Sequence, residues 1–363
     1  MSSLPDAQAA AGRFEFRGAV SGVATHGGGH INDTFLVTCQ APGAPARYIL
    51  QRINQHVFQD PVAVMQNIER VTAHLAAQET GELDGARRAL QLVPAHDGRN
   101  WFVDAQGETW RAYSLIENAR TYETATSPDQ ANQAARAFGH FQQQLASLPP
   151  PRLNETIPDF HNTPKRFWAL EQAIAADAAG RAALAKPEIE FARSRQAITG
   201  VLLDANLPER ITHNDTKFNN VLLDDKTGEA VCVIDLDTVM PGLALYDFGD
   251  MVRTTTSPAK EDEQDLSLVT MQFPMYEALV RGYLESAGGF LTPAERTLLA
   301  FSGKLITFEI GIRFLADYLA GDTYFKIHRE GHNLDRCRTQ FKLVESIERQ
   351  EEEMNRLVAS IAG

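Results

Sequence analysis

Two short apolar runs flank a polar, glycine-containing segment in the second half of the chain. The runs cover residues 221–223 and 231–234. Strand-forming residues on both sides of a short turn predict a β-hairpin. Asp215 and Asn220 precede the first strand, and Asp235 follows the second. Because the two ends of a hairpin lie side by side, we expect these three polar side chains to converge.

The hydrophobic pattern divides the chain into a strand-rich part and a helix-rich part. Up to Glu117, short apolar stretches separated by turns predict a small antiparallel sheet, with one helix beginning after Asp60. From Ser127 onward, apolar residues recur at helical spacing, which predicts a mainly helical region around the hairpin. The sequence therefore predicts an α+β fold of two lobes, an N-lobe of residues 1–117 and a C-lobe of residues 118–363.

Three of these predicted elements have specific bounds. The pattern predicts strands over residues 14–20 and 89–94, and a long apolar helix over residues 293–319. Thr292 and Glu295 have the spacing of a capping box, in which each side chain accepts a hydrogen bond at the helix N-terminus. We therefore expect a sharp start for this helix.

The polar residues at the hairpin suit phosphoryl transfer. Asn220 and Asp235 offer hard oxygen ligands, which favour Mg²⁺ over softer metals. Asp215 is then left to accept a proton from a hydroxyl group, as in protein-kinase-like enzymes. The competing interpretation, that all three serve only in turns, leaves their common spacing around one hairpin unexplained. Asp247, in a D-F-G triplet, is expected to cap the following helix or to hold the loop that carries Asp215.

The motif H-x-D-x-x-x-x-N, followed by a hairpin and I-D, resembles the aminoglycoside phosphotransferase and choline kinase superfamily, which has a protein-kinase-like fold. Longer blocks, such as G-G-G-H-I-N-D-T-F, T-H-N-D-T-K-F-N-N and V-I-D-L-D-T-V-M-P-G, resemble the N-acetylhexosamine 1-kinases over roughly residues 15–350. The resemblance implies a phosphotransferase with an alcohol group as acceptor. ATP would lie between the lobes with Mg²⁺, and the acceptor would be the anomeric C1 hydroxyl of N-acetylglucosamine or N-acetylgalactosamine.

A glycine-rich turn in the N-lobe is a candidate for nucleotide binding. Gly27, Gly28 and Gly29 lie between two predicted strands, where glycines let backbone N–H groups approach phosphate closely. A plain hairpin loop is the alternative for a glycine-rich turn alone. In the resembled kinases this loop also reaches the sugar, so His30 and Asn32 become candidates for substrate contact.

The remaining nucleotide-binding candidates lie on the predicted sheet and at its end. The strand that carries a phosphate-binding Lys in protein kinases contains no Lys here, and Arg52 is our candidate for that cation. An ordinary solvated Arg is the alternative, and Glu69 on the next helix is either its partner or a surface residue. Leu115, Ile116 and Glu117 enter the segment between the lobes, whose backbone binds adenine in such kinases.

Two charged residues interrupt the long apolar helix of the C-lobe. Glu309 and Arg313 are one turn apart, and the apolar residues around them indicate burial. A buried charge needs a partner, so an ion pair between the two is one interpretation. The resemblance implies a sugar-binding Arg at position 313 and, on a weaker match, a second sugar contact at Tyr324.

Composition limits the class of partner. The chain has 34 Lys and Arg against 47 Asp and Glu, a net charge of −13, which disfavours nucleic acid and anionic membranes. No apolar run reaches the ~20 residues that span a bilayer, and the first residues lack the features of a signal peptide. Three widely spaced cysteines fit a reducing compartment. We expect a cytoplasmic enzyme with ATP and an amino sugar as partners, either as a monomer or as a homodimer.

Two other functions stay open at this point. One is a kinase of the same fold that acts on another small-molecule hydroxyl, such as another sugar, an amino alcohol or an aminoglycoside. The other is a pseudokinase that binds a ligand or a partner without transfer. Arg313 argues against a cationic aminoglycoside, and the presence of Asp215, Asn220 and Asp235 together argues against a pseudokinase.

Overall fold

A computed structural model describes residues 3–27, 31–43, 45–78 and 87–362, except for the side chain of residue 362. The predictions for Gly28, Gly29 and His30 therefore lie outside the described residues. Across the described ranges, no helix combines the length and the apolar character that crossing a bilayer requires.

The chain forms two compact units that are not consecutive in sequence. The first unit contains Met1–Ala119, Ser147–Pro158 and Val231–Met240, and the second contains Arg120–Ala146, Asp159–Ala230 and Pro241–Gly363. After the predicted hairpin turn the chain therefore passes from the second unit into the first and back. Asp235 belongs to the first unit, whereas Asp215 and Asn220 belong to the second.

The first unit is built on a five-stranded antiparallel sheet. Its strands are β1 (Ala19–Thr25), β2 (Asp33–Gln40), β3 (Ala46–Arg52), β4 (Phe102–Val103) and β5 (Thr109–Ser114), in the spatial order β1-β2-β3-β5-β4. In the described part of this unit the sheet is accompanied by the helices α1 (Leu4–Ala11) and α2 (Pro61–Gln78). Asp60 Oδ1 accepts a hydrogen bond from the N–H of Ala63 at 3.0 Å, which confirms the predicted start of α2.

The two faces of this sheet have different environments. Phe35, Leu50 and Trp110 lie on the face that forms one hydrophobic core with α1 and Phe14. Successive strand residues point to opposite faces, so Arg111 lies on the other face of the sheet from Trp110. The hydrophobic face stabilises the unit, and the second face is left for polar groups.

The predicted strand over residues 14–20 is wrong. Phe14 makes only an isolated bridge with Ala95, and β1 begins later. Gly18 explains the difference, because its φ of 95° lies in the left-handed region and a Cβ there would lie 1.9 Å from the carbonyl oxygen of Gln40. The backbone bends at Gly18, and regular pairing starts only after that bend.

The predicted strand over residues 89–94 is also wrong as a regular element. Leu92 forms an isolated bridge with Tyr113, and the N–H of Val93 donates to the carbonyl of Ala112 at 2.9 Å. Pro94 has no N–H to donate to a ladder, so the pairing stops there.

The second unit is mainly helical, as predicted. Its helices are α3 (Pro128–Leu145), α4 (Thr163–Ala176), α5 (Lys186–Ser194), α6 (Val201–Asp204), α7 (Ala244–Thr255), α8 (Phe273–Ala287), α9 (Pro293–Thr297), α10 (Leu299–Ala320) and α11 (His332–Ala362). The predicted capping box is present, with Thr292 Oγ1 accepting from the N–H of Glu295 at 3.2 Å. The single helix predicted over residues 293–319 is divided, however, because the chain leaves helical geometry at Leu298.

Short strands complete the fold. They are β6 (Ala119–Arg120), β7 (Arg210–Thr212), β8 (Val221–Asp224), β9 (Ala230–Val233) and β10 (Met240–Gly242), with the sheet orders β6-β8-β9 and β10-β7. The adjacent β8 and β9 confirm the predicted hairpin. Its turn is closed by the N–H of Asp224, which donates to the carbonyl of Glu229 at 2.8 Å, and Gly228 supplies a φ of 72°.

Helices α7 and α10 pack closely at a glycine. A Cβ on Gly249 would lie 2.5 Å from the carbonyl oxygen of Ser302 and 2.7 Å from Cγ1 of Ile306. Phe248, the preceding residue, is completely buried. Two residues of the D-F-G triplet are therefore accounted for by helix packing in the second unit.

Gly249→Ala should lower the free energy of unfolding by about 1–2 kcal/mol in chemical denaturation. Alanine favours a helix over glycine by roughly 1 kcal/mol, but overpacking against a backbone carbonyl costs about 1–3 kcal/mol and here lies at the upper end. Gly289→Ala is the control, because a Cβ at Gly289 would meet nothing within 4 Å. A Gly249→Ala protein as stable as the wild type would show that the close approach is not required.

Candidate active site

The loop from His213 to Asn220, called here the 213–220 loop, connects β7 to β8. His213 is completely buried, and its ring lies edge-on to the rings of Phe138 and Phe141 at centroid distances of 5.4 and 5.8 Å. At the other end, residues 218–220 form a 3-10 turn that leads into β8. Both ends of the loop are thus fixed in the second unit.

Asp247 of α7 holds the start of the 213–220 loop. Its carboxylate accepts hydrogen bonds from the backbone N–H groups of His213 (2.9 Å) and Asn214 (2.7 Å) and from Nε2 of Gln142 (2.6 Å). Its own carbonyl accepts from Thr216 Oγ1 at 2.6 Å. Burial raises the pKa of Asp247, and these donors and the nearby His213 offset part of that effect. The contacts match the expectation that Asp247 holds this loop, and they occupy both carboxylate oxygens.

Asn214 has a strained backbone that is held at several points. Its φ of 65° lies in the left-handed region, which costs a non-glycine residue about 1–3 kcal/mol and is best tolerated by Asn and Asp. Its N–H donates to Asp247, its carbonyl lies 3.1 Å from Nε2 of His161, and its side-chain oxygen accepts from Thr212 Oγ1 at 3.0 Å. Because Asn214 precedes Asp215, these contacts set the direction in which Asp215 leaves the loop.

Asp215 is a partly exposed carboxylate next to a cation. Its side chain is 23% exposed, and Oδ1 lies 3.1 Å from Nζ of Lys217. Burial by itself would raise the pKa of Asp215, but the charges of Lys217, His213 and Arg253 outweigh it, so the pKa lies below its usual range. Asp215 is therefore ionised at neutral pH and accessible to a ligand.

Asn220 faces Asp215 across the loop. Its Nδ2 donates to the backbone carbonyl of Asp215 at 2.9 Å and to Oδ2 at 3.3 Å. The side-chain oxygen of Asn220 receives no hydrogen bond from any residue in the described ranges. An amide oxygen whose nitrogen is fixed in this way is suited to a hard cation such as Mg²⁺.

Asp235 and Asp237 follow β9 and have opposite environments within the first unit. Asp235 is exposed and has a left-handed φ of 61°. Asp237 is buried, and its two carboxylate oxygens bind Arg111 Nη1 and Asn32 Nδ2, the latter at 2.6 Å. Its carbonyl accepts from Thr156 Oγ1 at 2.9 Å. Asp237 thus anchors the turn that presents Asp235, and the amide of Asn32, a predicted sugar contact, takes part in that anchor. The convergence of Asp235 with Asp215 and Asn220 stays a prediction.

Arg111 is a buried cation on the polar face of the sheet. Its side chain is 1% exposed, and Nε and Nη2 donate to Oε1 of Gln51 at 3.0 and 2.8 Å. Its guanidinium carbon lies 5.3 Å from the ring centroid of Tyr113. Burial opposes the charged form of Arg111, but the Asp237 carboxylate outweighs it and raises the pKa of Arg111. Arg111 therefore keeps its positive charge inside the first unit.

Arg52, the predicted phosphate-binding cation, already has two acidic partners. Its guanidinium lies 2.8 Å from Asp33 and 3.1 Å from Glu108. Alternation along β3 places it on the opposite face of the sheet from the buried cation. Glu69 is not its partner but accepts a hydrogen bond from Nδ2 of Asn100 at 2.8 Å. A phosphate group would have to compete with these two carboxylates for Arg52. Phosphate binding by Arg52 stays a prediction.

The other predicted nucleotide contacts of the first unit lie at strand ends. Gly27 follows β1 and has a φ of 69°. A Cβ there would meet nothing within 4 Å, so glycine is favoured at this position by the left-handed backbone conformation and not by a lack of space. Leu115 and Ile116 follow β5, and the N–H of Leu115 donates to the carbonyl of Arg47 at 3.0 Å. Glu117 is exposed and pairs with the guanidinium of Arg47. Their contact with a nucleotide stays a prediction.

Arg313 lies among aromatic rings in the second unit. Its guanidinium carbon is 5.1 Å from the ring centroid of Phe160 and 5.7 Å from that of Phe325. In the described part of the chain, no group accepts a hydrogen bond from Arg313, which is half-buried. Arg313 and Glu309 do not form the ion pair considered above, because His161 and Thr163 bind the Glu309 carboxylate instead. A guanidinium with unused donors beside aromatic rings is suited to a polar ligand.

A second arginine completes what we call the arginine–aromatic cluster. Nε and Nη2 of Arg166 donate to the carbonyl of Phe160 at 3.1 and 2.9 Å. Burial and then the like charge of Arg313 lower the pKa of Arg166. Tyr324 is 55% exposed, and its ring lies 4.8 Å from that of Phe325. The cluster comprises Phe160, Arg166, Arg313, Tyr324 and Phe325.

The model of a phosphotransferase enzyme family matches residues 22–284, which include the 213–220 loop and Asp235. The chain belongs to this phosphotransferase family. The match confirms the superfamily predicted from the sequence, whereas assignment to the N-acetylhexosamine 1-kinases is not decided by it.

Solved structures share the fold of this phosphotransferase. They include a microcompartment-associated aminopropanol kinase, with 17% identity, a TM-score of 0.63 and coverage of 97% of this chain and 99% of that chain. An aminoglycoside phosphotransferase from Alicyclobacillus acidocaldarius has 12% identity and a TM-score of 0.65, with coverage of 97% of this chain and 96% of that chain. A spectinomycin phosphotransferase, solved with ADP and spectinomycin, has 12% identity, a TM-score of 0.63 and coverage of 97% and 99%. These likenesses confirm the predicted protein-kinase-like α+β fold, with a small antiparallel N-terminal sheet and a helical C-terminal region.

Three residues of the phosphotransferase were not singled out from its sequence. Lys217 could have been found, because it lies two positions after Asp215 in the motif itself. Arg111 and His161 could not, because their acidic partners lie 126 and 148 residues away. No local pattern indicates contacts of such long sequence separation.

Lys217→Met should shift the acid limb of the pH profile of kcat/KM to higher pH. The Lys217 ammonium is the largest influence that lowers the pKa of Asp215, and without it the opposing effect of burial raises that pKa. Asp215 would then become protonated, and lose its basic form, at a higher pH. Lys226→Met removes an equal charge from the exposed hairpin turn and should leave the limb in place. An unshifted limb in Lys217→Met would mean that Lys217 does not control the ionisation of Asp215.

Arg111→Met should lower the free energy of unfolding by about 3–5 kcal/mol, because it leaves the buried Asp237 carboxylate without its counter-charge. Arg52→Met is the matched control on the same sheet. Its ion pair with Asp33 is 23% and 17% exposed, and a pair of that kind contributes about 1 kcal/mol or less. Denaturant titration of both variants measures the difference, and equal losses would contradict the anchoring role of Arg111.

Proposed function

We propose that this phosphotransferase transfers the γ-phosphoryl group of ATP to the anomeric hydroxyl of an N-acetylhexosamine, N-acetylglucosamine or N-acetylgalactosamine. The observation that carries the proposal is Asp215, an ionised and partly exposed carboxylate on a loop whose backbone is fixed by buried hydrogen bonds. A loop of this kind presents a proton acceptor in one direction, which is what positioning of an acceptor hydroxyl requires.

Asp215 acts as the general base. It accepts the proton of the sugar hydroxyl while the hydroxyl oxygen forms a bond to the γ-phosphorus, and the bond from that phosphorus to the bridging oxygen breaks to release ADP. General-base catalysis of this kind contributes roughly 10²–10⁴-fold. The anomeric hydroxyl is more acidic than an ordinary alcohol, so a carboxylate with a low pKa suffices. Lys217, 3.1 Å from Asp215, keeps that carboxylate ionised before the sugar binds.

Asn220 and Asp235 are the residues that would hold Mg²⁺. Both offer oxygen atoms, which is the donor chemistry that Mg²⁺ prefers, and the side-chain oxygen of Asn220 has no hydrogen-bond donor in the described ranges. No three His, Cys, Asp or Glu side chains gather as a metal-binding group within the described residues. This agrees with a metal that takes most of its ligands from water and substrate phosphates. Bound there, Mg²⁺ would supply positive charge against the phosphates.

The glycine turn and the strand ends of the first unit belong to the nucleotide in this proposal. Gly27, with Gly28 and Gly29, would face the phosphates, and Arg52 would supply a cation if phosphate displaces its carboxylate partners. The backbone of residues 115–117 would contact adenine.

The arginine–aromatic cluster supports an uncharged, carbonyl-bearing acceptor. Arg313 has donors that no described residue uses, and an acetamido carbonyl or ring hydroxyls would accept them. Phe160 and Phe325 offer apolar faces for a sugar ring. Arg166 adds a second positive charge, so cationic acceptors such as aminoglycosides and amino alcohols would meet like charges. Tyr324 and His30 complete the proposed sugar contacts, and a direct contact from Asn32 stays a prediction.

Mixing the purified phosphotransferase with ATP, Mg²⁺ and a panel of acceptors should release ADP fastest with N-acetylglucosamine or N-acetylgalactosamine. The panel should include plain hexoses, ethanolamine, aminopropanol and an aminoglycoside. Asp215→Asn should lower turnover by at least about 10²-fold while leaving nucleotide affinity nearly unchanged, because it removes the base and not the phosphate contacts.

The specificity control is Arg313→Met, which should raise KM for the acetamido sugars and leave KM for ATP unchanged. ADP release with an amino alcohol or an aminoglycoside, but with no sugar, would overturn the proposed substrate while leaving the phosphotransferase chemistry in place. No ADP release with any acceptor would instead favour a binding function without transfer.

A further inference from the structure

His161 is a buried histidine between a helix and the 213–220 loop. Its Nδ1 lies 2.7 Å from Oε1 of Glu309 on α10, and its Nε2 lies 3.1 Å from the carbonyl oxygen of Asn214. The side chains of His161 and Glu309 are 2% and 0% exposed. A carboxylate oxygen and a backbone carbonyl both accept hydrogen bonds, so the geometry suits a donor at each ring nitrogen.

The Glu309 carboxylate is held on several sides inside the second unit. Burial would raise the pKa of Glu309, but His161, Arg313 and the hydroxyl of Thr163 outweigh it and lower that pKa. Thr163 Oγ1 donates to Oε2 at 2.6 Å, so both carboxylate oxygens have a donor. The ring of Tyr246 on α7 lies 5.0 Å from that of His161 and helps to enclose it. Every polar side-chain atom of His161 and Glu309 therefore has a hydrogen-bond partner, as buried polar groups require.

The same face of α10 bears the cation of the arginine–aromatic cluster. Arg313 follows Glu309 by one helical turn, and residues four apart lie on one side of a helix. Phe160, whose ring lies 5.1 Å from the guanidinium carbon of Arg313, directly precedes His161 in the chain. The rings of Phe160 and His161 lie 4.7 Å apart, so a short path of direct contacts leads from the cluster through His161 to the carbonyl of Asn214.

We infer that His161 is a positioning residue that fixes the carbonyl of Asn214 and thereby the direction of Asp215. The inference rests on the proposed function, in which Asp215 is the base and Arg313 binds the acceptor. Asn214 is held in a left-handed conformation, and its N–H is already bound by Asp247. The hydrogen bond from His161 holds the carbonyl of the peptide that joins Asn214 to Asp215, so its loss lets this carbonyl turn and moves Asp215 relative to the acceptor.

Two substitutions separate the two hydrogen bonds of the ring. His161→Asn places an amide nitrogen near the position of Nδ1, so it keeps a donor to Glu309 but does not reach Asn214. His161→Gln places its amide nitrogen near the position of Nε2, so it keeps the donor to Asn214 and loses the one to Glu309. We expect His161→Asn to lower kcat roughly ten- to a hundredfold, since a displacement of 1 Å costs up to about 10²-fold, and His161→Gln to lower it less than about threefold. KM for ATP should stay the same in both.

The control is His332→Asn, which changes another buried histidine of the second unit, bonded to Asp262 at 3.0 Å and not to the 213–220 loop. Its kcat should equal that of the wild type. All rates are divided by the folded fraction from thermal melts. Equal kcat values for His161→Asn and His161→Gln, or a wild-type kcat for His161→Asn, would overturn the inference and leave His161 with a role in stability alone.

Amide hydrogen exchange gives a readout that does not depend on activity. Peptides covering residues 211–220 should exchange faster in His161→Asn than in His161→Gln, because only the first variant removes the hydrogen bond from residue 161 to the carbonyl of Asn214. If the wild type transfers no phosphate to any acceptor but this difference in exchange is found, the proposed function fails and the positioning contact stands. If exchange is the same in both variants, the positioning contact fails whatever the activity.

Discussion

One buried carboxylate organises the second unit. Asp247 receives two backbone N–H groups from the 213–220 loop and the amide of Gln142 from α3, and Gln142 in turn accepts from the hydroxyl of Tyr283 on α8 at 2.5 Å. A buried charge is stable only when it is hydrogen-bonded on all sides. The loop, α3, α7 and α8 must therefore keep the relative positions that satisfy Asp247, and the direction of Asp215 follows from them. Within the D-F-G triplet, Asp247 therefore holds the 213–220 loop, and Gly249 allows α7 to pack closely against α10.

Both segments that carry the proposed catalytic and metal-binding residues contain a residue in the left-handed region. Asn214 immediately precedes Asp215, and Asp235 itself has a φ of 61°. Non-glycine residues in this region persist only where surrounding contacts hold them, and such strain is concentrated at functional sites. In the second unit the holding contacts come from Asp247 and His161, and in the first unit the ion pair of Arg111 with Asp237 fixes the turn that follows Asp235. Each unit thus has its own buried anchor for a carboxylate to which we assign a role in the proposed reaction.

The sequence predicted local features well and long-range partnerships poorly. The hairpin around Gly228, the cap at Thr292 and the spacing of Asp215 and Asn220 all depend on residues close in the chain, and the first two are confirmed by the structure. The sequence predicts Arg52 as the phosphate-binding cation because the strand contains no Lys, yet Arg111 is the buried cation of the sheet, and its partner, Asp237, lies 126 residues away. The net charge of −13 likewise does not indicate that Lys217 and Arg253 lie close enough to lower the pKa of Asp215. A total charge contains no information about where individual charges lie in the fold. Tertiary topology decides these contacts.

The site of phosphorylation on the sugar is the most direct test of the claim that the fixed direction of Asp215 selects the acceptor hydroxyl. The measurement is the ³¹P NMR spectrum of the product formed from ATP, Mg²⁺ and N-acetylglucosamine. We predict a phosphomonoester resonance split by the single anomeric proton, and a product whose phosphate is released by mild acid. A resonance split by the two C6 methylene protons, or inorganic phosphate as the sole product, would contradict the claim.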